Sequence, residues 1–181
     1  MLFGKLPSHG DFIARGLDLT ACDAWDRWAS EGLVEIRERL GERYDDAHDR
    51  APPWRFVDPP GRFGLDWRAG ALAPSIDGAG RRFIIMLAAD GLSREQAGGG
   101  GEALAEEMES LIYQAFESGW GADATIEAAK APVDRLAVDG APAQPRWWTI
   151  GSFDHAPATS VSGPIGFFAQ MLGAGQEGAH E

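Results

Sequence analysis

This chain of 181 residues lacks features that several large classes of protein require. It has a single cysteine, Cys22, so it has no internal disulfide, and the position of Cys22 on an apolar helical face predicts a buried small hydrophobe. The longest apolar run, residues 83–89, is far shorter than the roughly 20 residues that span a bilayer. Because Lys5, Pro7 and Asp11 interrupt any apolar leader, we expect no signal peptide and a cytoplasmic, reducing compartment.

Lysine is also scarce, with only two residues, and although arginine is common, 28 acidic residues outnumber 16 basic ones and give a formal net charge of −12. A nucleic-acid partner requires a basic stripe against phosphate, and an anionic membrane surface attracts basic segments, so we expect neither partner and no membrane insertion. An acidic protein favours another protein as its partner, although solubility alone also accounts for such a charge. Seven tryptophans and nine phenylalanines supply enough apolar surface for the core of a single domain.

Hydrophobic periodicity and turn signals predict a mixture of helices and strands with no internal repeat. The predicted strands are residues 2–6, 54–57, 70–76, 82–89 and 146–150; the predicted helices are residues 22–40, 102–118, 122–130 and 164–172; residues 42–50 form a solvated turn or a short helix. Pro74 predicts that its strand is an edge or irregular strand. A capping box at Ser93–Gln96 predicts a short helix, and Gly98–Gly101 are predicted to break that helix as a flexible linker. Pro132 is predicted to end the helix of residues 122–130.

Two loops carry most of the residues that could do chemistry. The first is Gly4–Ile13, in which two glycines and a proline shape the backbone and place Lys5 and His9. The second is Pro74–Phe83, a strand, a glycine-rich turn and a returning strand. Together the loops offer a set of polar side chains, namely Lys5, His9, Asp11, Ser75, Asp77, Arg81 and Arg82.

Three interpretations of these polar residues remain open. In the structural one, Asp11 and Asp77 pair with Arg81 or Arg82 and accept backbone N–H groups in the turns, since a guanidinium fork matches a carboxylate. Its main rival gives the exposed members of the set a partner-binding role. In the second, Ser75 is a nucleophile with His9 as its base and Asp77 or Asp11 as the orienting group, although the sequence has no G-x-S-x-G elbow.

The third interpretation is a metal site. It would use His9 with Asp11, or His48 with a group of neighbouring carboxylates, namely Asp45, Asp46 and Asp49. Each group contains one histidine, and no cysteine pair or H-x-x-x-H spacing adds to it. We therefore expect no metal and no other cofactor.

The adjacent tryptophans Trp147 and Trp148 must point to opposite faces if their segment is a strand. One of them is then a candidate interface anchor, because tryptophan is enriched at binding hot spots, whereas the core accounts for either one singly. The candidate partner-binding or structural residues are therefore Lys5, Pro7, Gly10, Asp11, Ser75, Asp77, Gly80, Arg81, Trp147 and Trp148.

Several segments in the same order resemble the TagF family of proteins associated with bacterial type VI secretion systems. The two most specific are the segments 4–15, GKLPSHGDFIAR, and 70–83, GALAPSIDGAGRRF, and the others are Trp25–Trp28, Trp54–Phe56 and the pair Trp147–Trp148. The chain departs from the family at Ile84–Ile85, where a proline and a leucine usually follow the aromatic residue, and the strand prediction survives that change.

The resemblance implies an α+β fold, a single-domain three-layer α/β/α sandwich with a largely antiparallel sheet over residues 1–172, and we expect residues 173–181 to form a disordered tail. It implies a non-enzymatic regulator that represses secretion after translation by binding the forkhead-associated-domain scaffold protein of the system. Two alternatives stay open: a hydrolase using Ser75 and His9, and loops that only determine the fold while the partner surface lies elsewhere. The sequence also leaves open which face docks, whether the partner must be phosphorylated and whether the protein forms a homodimer.

Overall fold

A computed structural model describes residues 1–137, 139–149 and 163–173 of the chain. Its strands and helices alternate irregularly along the sequence. The strands are β1 Leu2–Gly4, β2 Ile13–Arg15, β3 Trp54–Asp58, β4 Trp67–Ile76, β5 Arg82–Leu92 and β6 Arg146–Trp148. The helices are α1 Leu19–Leu40, a 3-10 turn Gly41–Arg43, α2 Tyr44–Arg50, α3 Arg94–Ser118, α4 Ala122–Asp134 and α5 Gly163–Met171. Residue 150 of the predicted last strand and residues 174–181 of the predicted tail lie outside the described residues.

The strands form one antiparallel sheet in the order β2-β1-β5-β4-β3-β6. Side chains alternate between its two faces, so in β5 Ile84 and Met86 pack with α1 and α5, whereas Ile85 and Leu87 pack with α3 and α4. Helices thus cover both faces of the sheet, and β5 is buried on both sides, as its continuous apolar run predicts. The predicted α+β sandwich is confirmed.

Strand β4 lies between β5 and β3, so of the two alternatives that Pro74 predicts, an edge strand or an irregular strand, the first is wrong. Pro74 lies opposite Ile84 of β5, and the only irregularity in that pairing is a bulge between Trp67 and Ala69, at the other end of β4. Strand β3 pairs with β4 only as far as Leu72. Because β3 ends before it reaches Pro74, the missing N–H of the proline costs no ladder bond on that side.

Helix α3 runs unbroken through Gly98–Gly101, so the prediction that these glycines form a flexible linker is wrong. The capping box is present, with the Ser93 hydroxyl accepting from the Gln96 backbone N–H. Gly98 and Gly99 lie where other backbone approaches α3 closely, and Gly100 and Gly101 lie against side chains. A side chain at Gly98 would collide with the carbonyl of Ala141, and Gly101 packs on Val57 of the sheet. Close approach explains glycine here, at a cost in helix propensity of about 1 kcal/mol each.

Helix α4 passes through Pro132 and ends at Asp134, so the expected stop at this proline is also wrong. Proline fixes φ near the helical value, and close to a C-terminus it removes one hydrogen bond without breaking the helix. Asp18 and Thr20 are the two residues in the sequence that could cap helix α1; Asp18 does so by accepting from the Ala21 N–H, and the helix begins at Leu19. In the described part of the chain, no helix is both long and apolar enough to cross a membrane.

Two short elements complete the fold, the edge strand β2 and the helix α2. Strand β2, which the sequence did not predict, pairs with β1 and forms one edge of the sheet. Helix α2 forms where a turn or short helix was expected, and it buries Tyr44 and His48.

Cys22 of helix α1 is half-buried, whereas the sequence predicted that it would be fully buried. Its burial, together with the nearby charge of Asp23, raises the pKa of its thiol.

Candidate functional site

The two loops singled out in the sequence meet at one end of the sandwich, and we call residues 5–12 together with 75–81 the joined corner. Their backbones are hydrogen-bonded directly: the Gly78 N–H donates to the His9 carbonyl at 2.7 Å. The Ser75 hydroxyl donates to the Lys5 carbonyl at 2.7 Å, which ties strand β4 to the segment leaving β1. The first loop therefore has a conformation fixed by the second.

Asp77 is the central residue of the joined corner, and its side chain is fully buried. One oxygen accepts from the Lys5 Nζ at 3.0 Å and the Arg81 Nε at 2.6 Å, and the other accepts from the backbone N–H groups of Ala79 and Arg81. Burial alone would raise the pKa of Asp77, but these hydrogen bonds together hold it well below the usual range. Asp77 therefore stays ionised and holds the turn closed.

Arg81 joins the two loops from the outside. Its Nη2 donates to the Gly10 carbonyl at 2.9 Å while its Nε binds Asp77, and the rest of its side chain is exposed. The pairing of Asp77 with Arg81 is as predicted. The predicted pairing of Asp11 with Arg81 or Arg82 is wrong, because the Asp11 carboxylate accepts from the backbone N–H of its own neighbour Phe12 at 2.8 Å.

Arg82 pairs elsewhere, which corrects the other half of that prediction. It forms ion pairs with Asp45 at 3.0 Å and Asp49 at 2.7 Å on helix α2. Arg81 lies in the turn that Asp77 closes, whereas Arg82 is the first residue of β5 and points to α2. Arg82 thus fastens helix α2 to the start of β5, beside the joined corner.

The geometry that a Ser75–His9 hydrolase needs is not assembled in the described residues. The Ser75 hydroxyl is buried and donates its hydrogen bond to the Lys5 carbonyl. The His9 Nδ1 lies 3.1 Å from the Ser8 hydroxyl, which itself donates to the Trp120 carbonyl. No hydrogen bond joins Ser75 to His9, so this arrangement gives the serine no base.

The two candidate metal groups are dispersed as well. His48 is buried, and its Nε2 donates to the Phe83 carbonyl at 2.7 Å, while its Nδ1 lies 3.5 Å from Asp49. His9 contacts Ser8, and Asp11 lies against its own backbone. Across residues 1–137, 139–149 and 163–173, no group of three or more histidine, cysteine, aspartate or glutamate side chains could hold a metal ion.

What the joined corner presents outward is a rigid backbone carrying a few exposed side chains. Pro7, Gly10, Asp11, Gly80 and Arg81 are exposed, whereas Ser75 and Asp77 are buried and Lys5 is largely covered. Beside these residues a cavity of about 290 Å³ opens, lined mainly by apolar residues that include Pro7, Pro74, Ile76 and Phe116. The corner therefore divides into buried residues that shape it and exposed residues that another molecule can contact.

The tryptophan pair lies away from the joined corner, at the edge of the sheet formed by β6, with β3 and β4 between it and β5. As expected for a strand, the two rings face opposite sides. Trp147 is buried, stacks on Phe56 at 4.6 Å between ring centroids and donates its Nε1–H to Asp58 at 3.2 Å. Trp148 is half-buried under the Arg146 guanidinium, so it alone of the pair offers surface.

Sequence reasoning missed a buried charge cluster that holds β3, β4 and β5 together. Arg68 is fully buried and binds Asp58 at 3.0 Å and Asp90 at 3.3 Å. It also donates to the Asp66 carbonyl in the loop before β4. The one feature of the sequence that could have indicated this cluster is a single arginine within an apolar, glycine-rich segment. Only the tertiary fold shows which carboxylates it binds.

Fold and site together define a mixed α/β domain whose most polar corner is fastened by internal hydrogen bonds and exposes a shaped protein surface. The family model of the TagF N-terminal domain, type VI secretion system-associated, matches residues 1–132. The chain therefore belongs to the TagF family and is associated with type VI secretion.

The fold is also similar to a solved structure, the crystal structure of PA0076 from Pseudomonas aeruginosa PAO1. The two proteins are 30% identical with a TM-score of 0.64, and the similarity covers 96% of this chain and 76% of that one. No curated protein sequence matches the chain.

Proposed function

We propose that this protein is a non-enzymatic regulator that represses a bacterial type VI secretion system after translation by binding its forkhead-associated-domain scaffold protein. Family membership supports the link to secretion. The observation that carries the binding proposal is the state of the joined corner: Lys5, Ser75 and Asp77 are each hydrogen-bonded within the chain. Their role is to shape a surface, which leaves the exposed residues to contact a partner.

A surface of this kind suits protein recognition because its conformation is fixed before binding. The backbone bond between Gly78 and His9 and the side-chain bond from Arg81 to Gly10 prevent the loops from separating. A partner then loses little free energy to ordering these loops. Asp11 is exposed and has no cation beside it in the described residues, so it is free to pair with a basic side chain of the scaffold protein. We place this action in the cytoplasm, in keeping with a single thiol and no disulfide.

The first experiment measures binding and secretion in parallel. The purified full-length protein is titrated with the purified forkhead-associated-domain protein by calorimetry, and it is also overproduced in a host with an intact secretion cluster. The proposal expects saturable binding and reduced release of secreted substrate proteins into the medium. Absence of binding together with unchanged secretion would defeat it.

A pair of charge reversals then locates the surface. Asp11→Arg changes an exposed residue whose side chain, within the described residues, bonds only to the N–H of its neighbour, so the fold should be unaffected. Glu38→Arg is the matched control: it makes the same charge change at an exposed site on α1, in another part of the molecule. We expect Asp11→Arg to weaken binding at least tenfold and Glu38→Arg to leave it unchanged. Equal affinities for both variants would place the docking face away from the joined corner.

A further inference from the structure

The arginines of this acidic protein are mostly paired with carboxylates. In the part of the chain that the structure describes, nine arginines lie within 4.0 Å of an aspartate or glutamate oxygen. Arg27 and Arg62 differ, because both are exposed and neither forms a hydrogen bond or an ion pair there. The Arg62 guanidinium lies over the Phe63 ring, 6.0 Å from its centroid, and its charge interacts with Asp58.

Arg27 and Arg62 line the same cavity, although 35 residues separate them in the sequence. The cavity has a volume of about 330 Å³, and its other lining residues are Ala24, Trp28 and Glu31. Helix α1 contributes four of the five residues from one face, at the three- and four-residue spacing of a helix. Arg62 comes from the loop between β3 and β4. Two arginines without an ion pair in the described residues thus line one cavity beside Ala24 and Trp28.

The backbone on both sides of this cavity is held in place. The turn that carries Arg62 is closed by paired hydrogen bonds between Gly61 and Gly64, at 2.8 and 3.4 Å. The next residue, Phe63, is buried and stacks on Trp25 of helix α1 with ring centroids 3.7 Å apart. Because Trp25 belongs to the same helix as Arg27, this stack fixes the two arginines relative to each other. A ligand would have to order only the two side chains.

The charges of the cavity select the class of ligand. Two guanidinium groups and the Glu31 carboxylate, with Asp58 acting on Arg62, leave at most a single net positive charge. Attraction to such a site grows in proportion to the charge of an anion, whereas the cost of desolvating the anion grows with the square of that charge, so the site favours one carboxylate over a doubly charged phosphate. A guanidinium fork binds both oxygens of a carboxylate. We propose that the Arg27–Arg62 cavity binds a carboxylate group of a partner protein, either an acidic side chain or the free carboxyl terminus of the polypeptide. This site lies on the α1 face, apart from the joined corner, and does not depend on the proposed repression.

The test is a titration of the ¹⁵N-labelled full-length protein, followed by the NMR signals of residues 24–31 and of the arginine Nε–H groups. One probe, N-acetylglutamate α-amide, has its only carboxylate on the side chain, and a second, N-acetylleucine, has its only carboxylate at the terminus. N-acetylglutamine amide is the neutral control, and inorganic phosphate tests the charge argument. We expect saturable shifts with either carboxylate probe, at half-saturation on the order of millimolar. The probe that saturates first identifies the source. Equal shifts with the neutral amide, or tighter binding of phosphate, would overturn the proposal.

Substitutions connect the response to the named residues. Arg27→Gln and Arg62→Gln should each raise the half-saturating concentration at least tenfold. Arg37→Gln is the matched control, because Arg37 is another exposed arginine of α1 that forms no ion pair with the residues the structure describes, and it lies over the Tyr44 ring. Glu31→Gln should tighten binding several-fold and admit phosphate. If both cavity variants bind as well as the unsubstituted protein, or if Arg37→Gln weakens binding equally, the assignment is wrong. All these side chains are exposed, so we expect the variants to fold. Well-dispersed NMR signals will confirm that they do.

Discussion

Replacement of Arg68 by methionine should destabilise the fold by about 3–5 kcal/mol, the cost of leaving a buried charge without its partner. Arg68 is fully buried, and the Asp58 carboxylate that it binds at 3.0 Å is only 17% exposed. Methionine fills a similar volume but donates no hydrogen bonds. Asp58 would keep the Trp147 Nε1–H at 3.2 Å, a neutral donor that cannot replace a guanidinium. Since domains are stable by only about 5–15 kcal/mol, this loss is large.

The pH dependence of the same variant tests the cause. Burial raises the pKa of Asp58, and the hydrogen bonds from Trp147 and Arg68 offset only part of that rise. A carboxyl with a raised folded-state pKa costs stability above that pKa, and the cost disappears as protonation neutralises it. Without Arg68 this cost is larger, so the destabilisation by Arg68→Met should shrink as the pH falls from 7 towards 5.

Urea unfolding, followed by tryptophan fluorescence at pH 7 and pH 5, measures both effects. The matched control is Asp58→Asn combined with Arg68→Met, which removes both charges. We expect the double variant to be more stable than Arg68→Met alone and to show little of its pH dependence. A loss below about 1 kcal/mol in Arg68→Met, or a double variant that is no more stable than it, would refute the reasoning.

Three further outcomes are expected. Ser75→Ala should cost about 1–3 kcal/mol in urea unfolding, because it leaves the buried carbonyl of Lys5 without its donor; unchanged stability would show that water replaces it. Gly98→Ala should lower the melting temperature although alanine favours a helix by about 1 kcal/mol, because the new methyl group meets a backbone carbonyl. The methyl group of Gly100→Ala meets only the movable end of a leucine side chain, so this control variant should lower the melting temperature less. A lower melting temperature for Gly100→Ala than for Gly98→Ala would contradict the close packing at Gly98. The Cys22 thiol should react with a disulfide reagent at pH 8 several-fold more slowly than free cysteine and lose that protection in urea, and equal rates in the folded protein would contradict its raised pKa.

The fold followed from sequence wherever a pattern was local. The apolar run of β5 predicted a strand covered on both faces, and the glycine turn at residues 77–80 predicted the reversal from β4 to β5. Two of the wrong predictions share one cause. Gly98–Gly101 break an isolated helix, but in α3 neighbouring backbone packs against Gly98 and Gly99, and Pro74 is an edge signal unless the neighbouring strand has already ended. Long-range packing overrode local propensity at both places.

The candidate site shows the same division. Sequence placed Asp77 and Arg81 four residues apart across a glycine turn, a spacing at which an ion pair forms locally, and it is present. It could not tell that Arg82, one residue on, faces α2, because which face a strand residue takes depends on the register of the whole sheet. Nor could it show that Asp11 has no cation beside it in the described residues.

By itself, the sequence determined the protein's family, its acidic charge and the two shaped loops, because residue type and short-range spacing carry these properties. Only the tertiary structure decided what each polar side chain meets. It brought Lys5 to Asp77 across 72 residues and Arg27 to the cavity of Arg62, and it enclosed Arg68 among carboxylates. Contacts of this kind depend on how strands pair and layers pack, and a charged residue has the same appearance in a sequence whether it faces water or a partner.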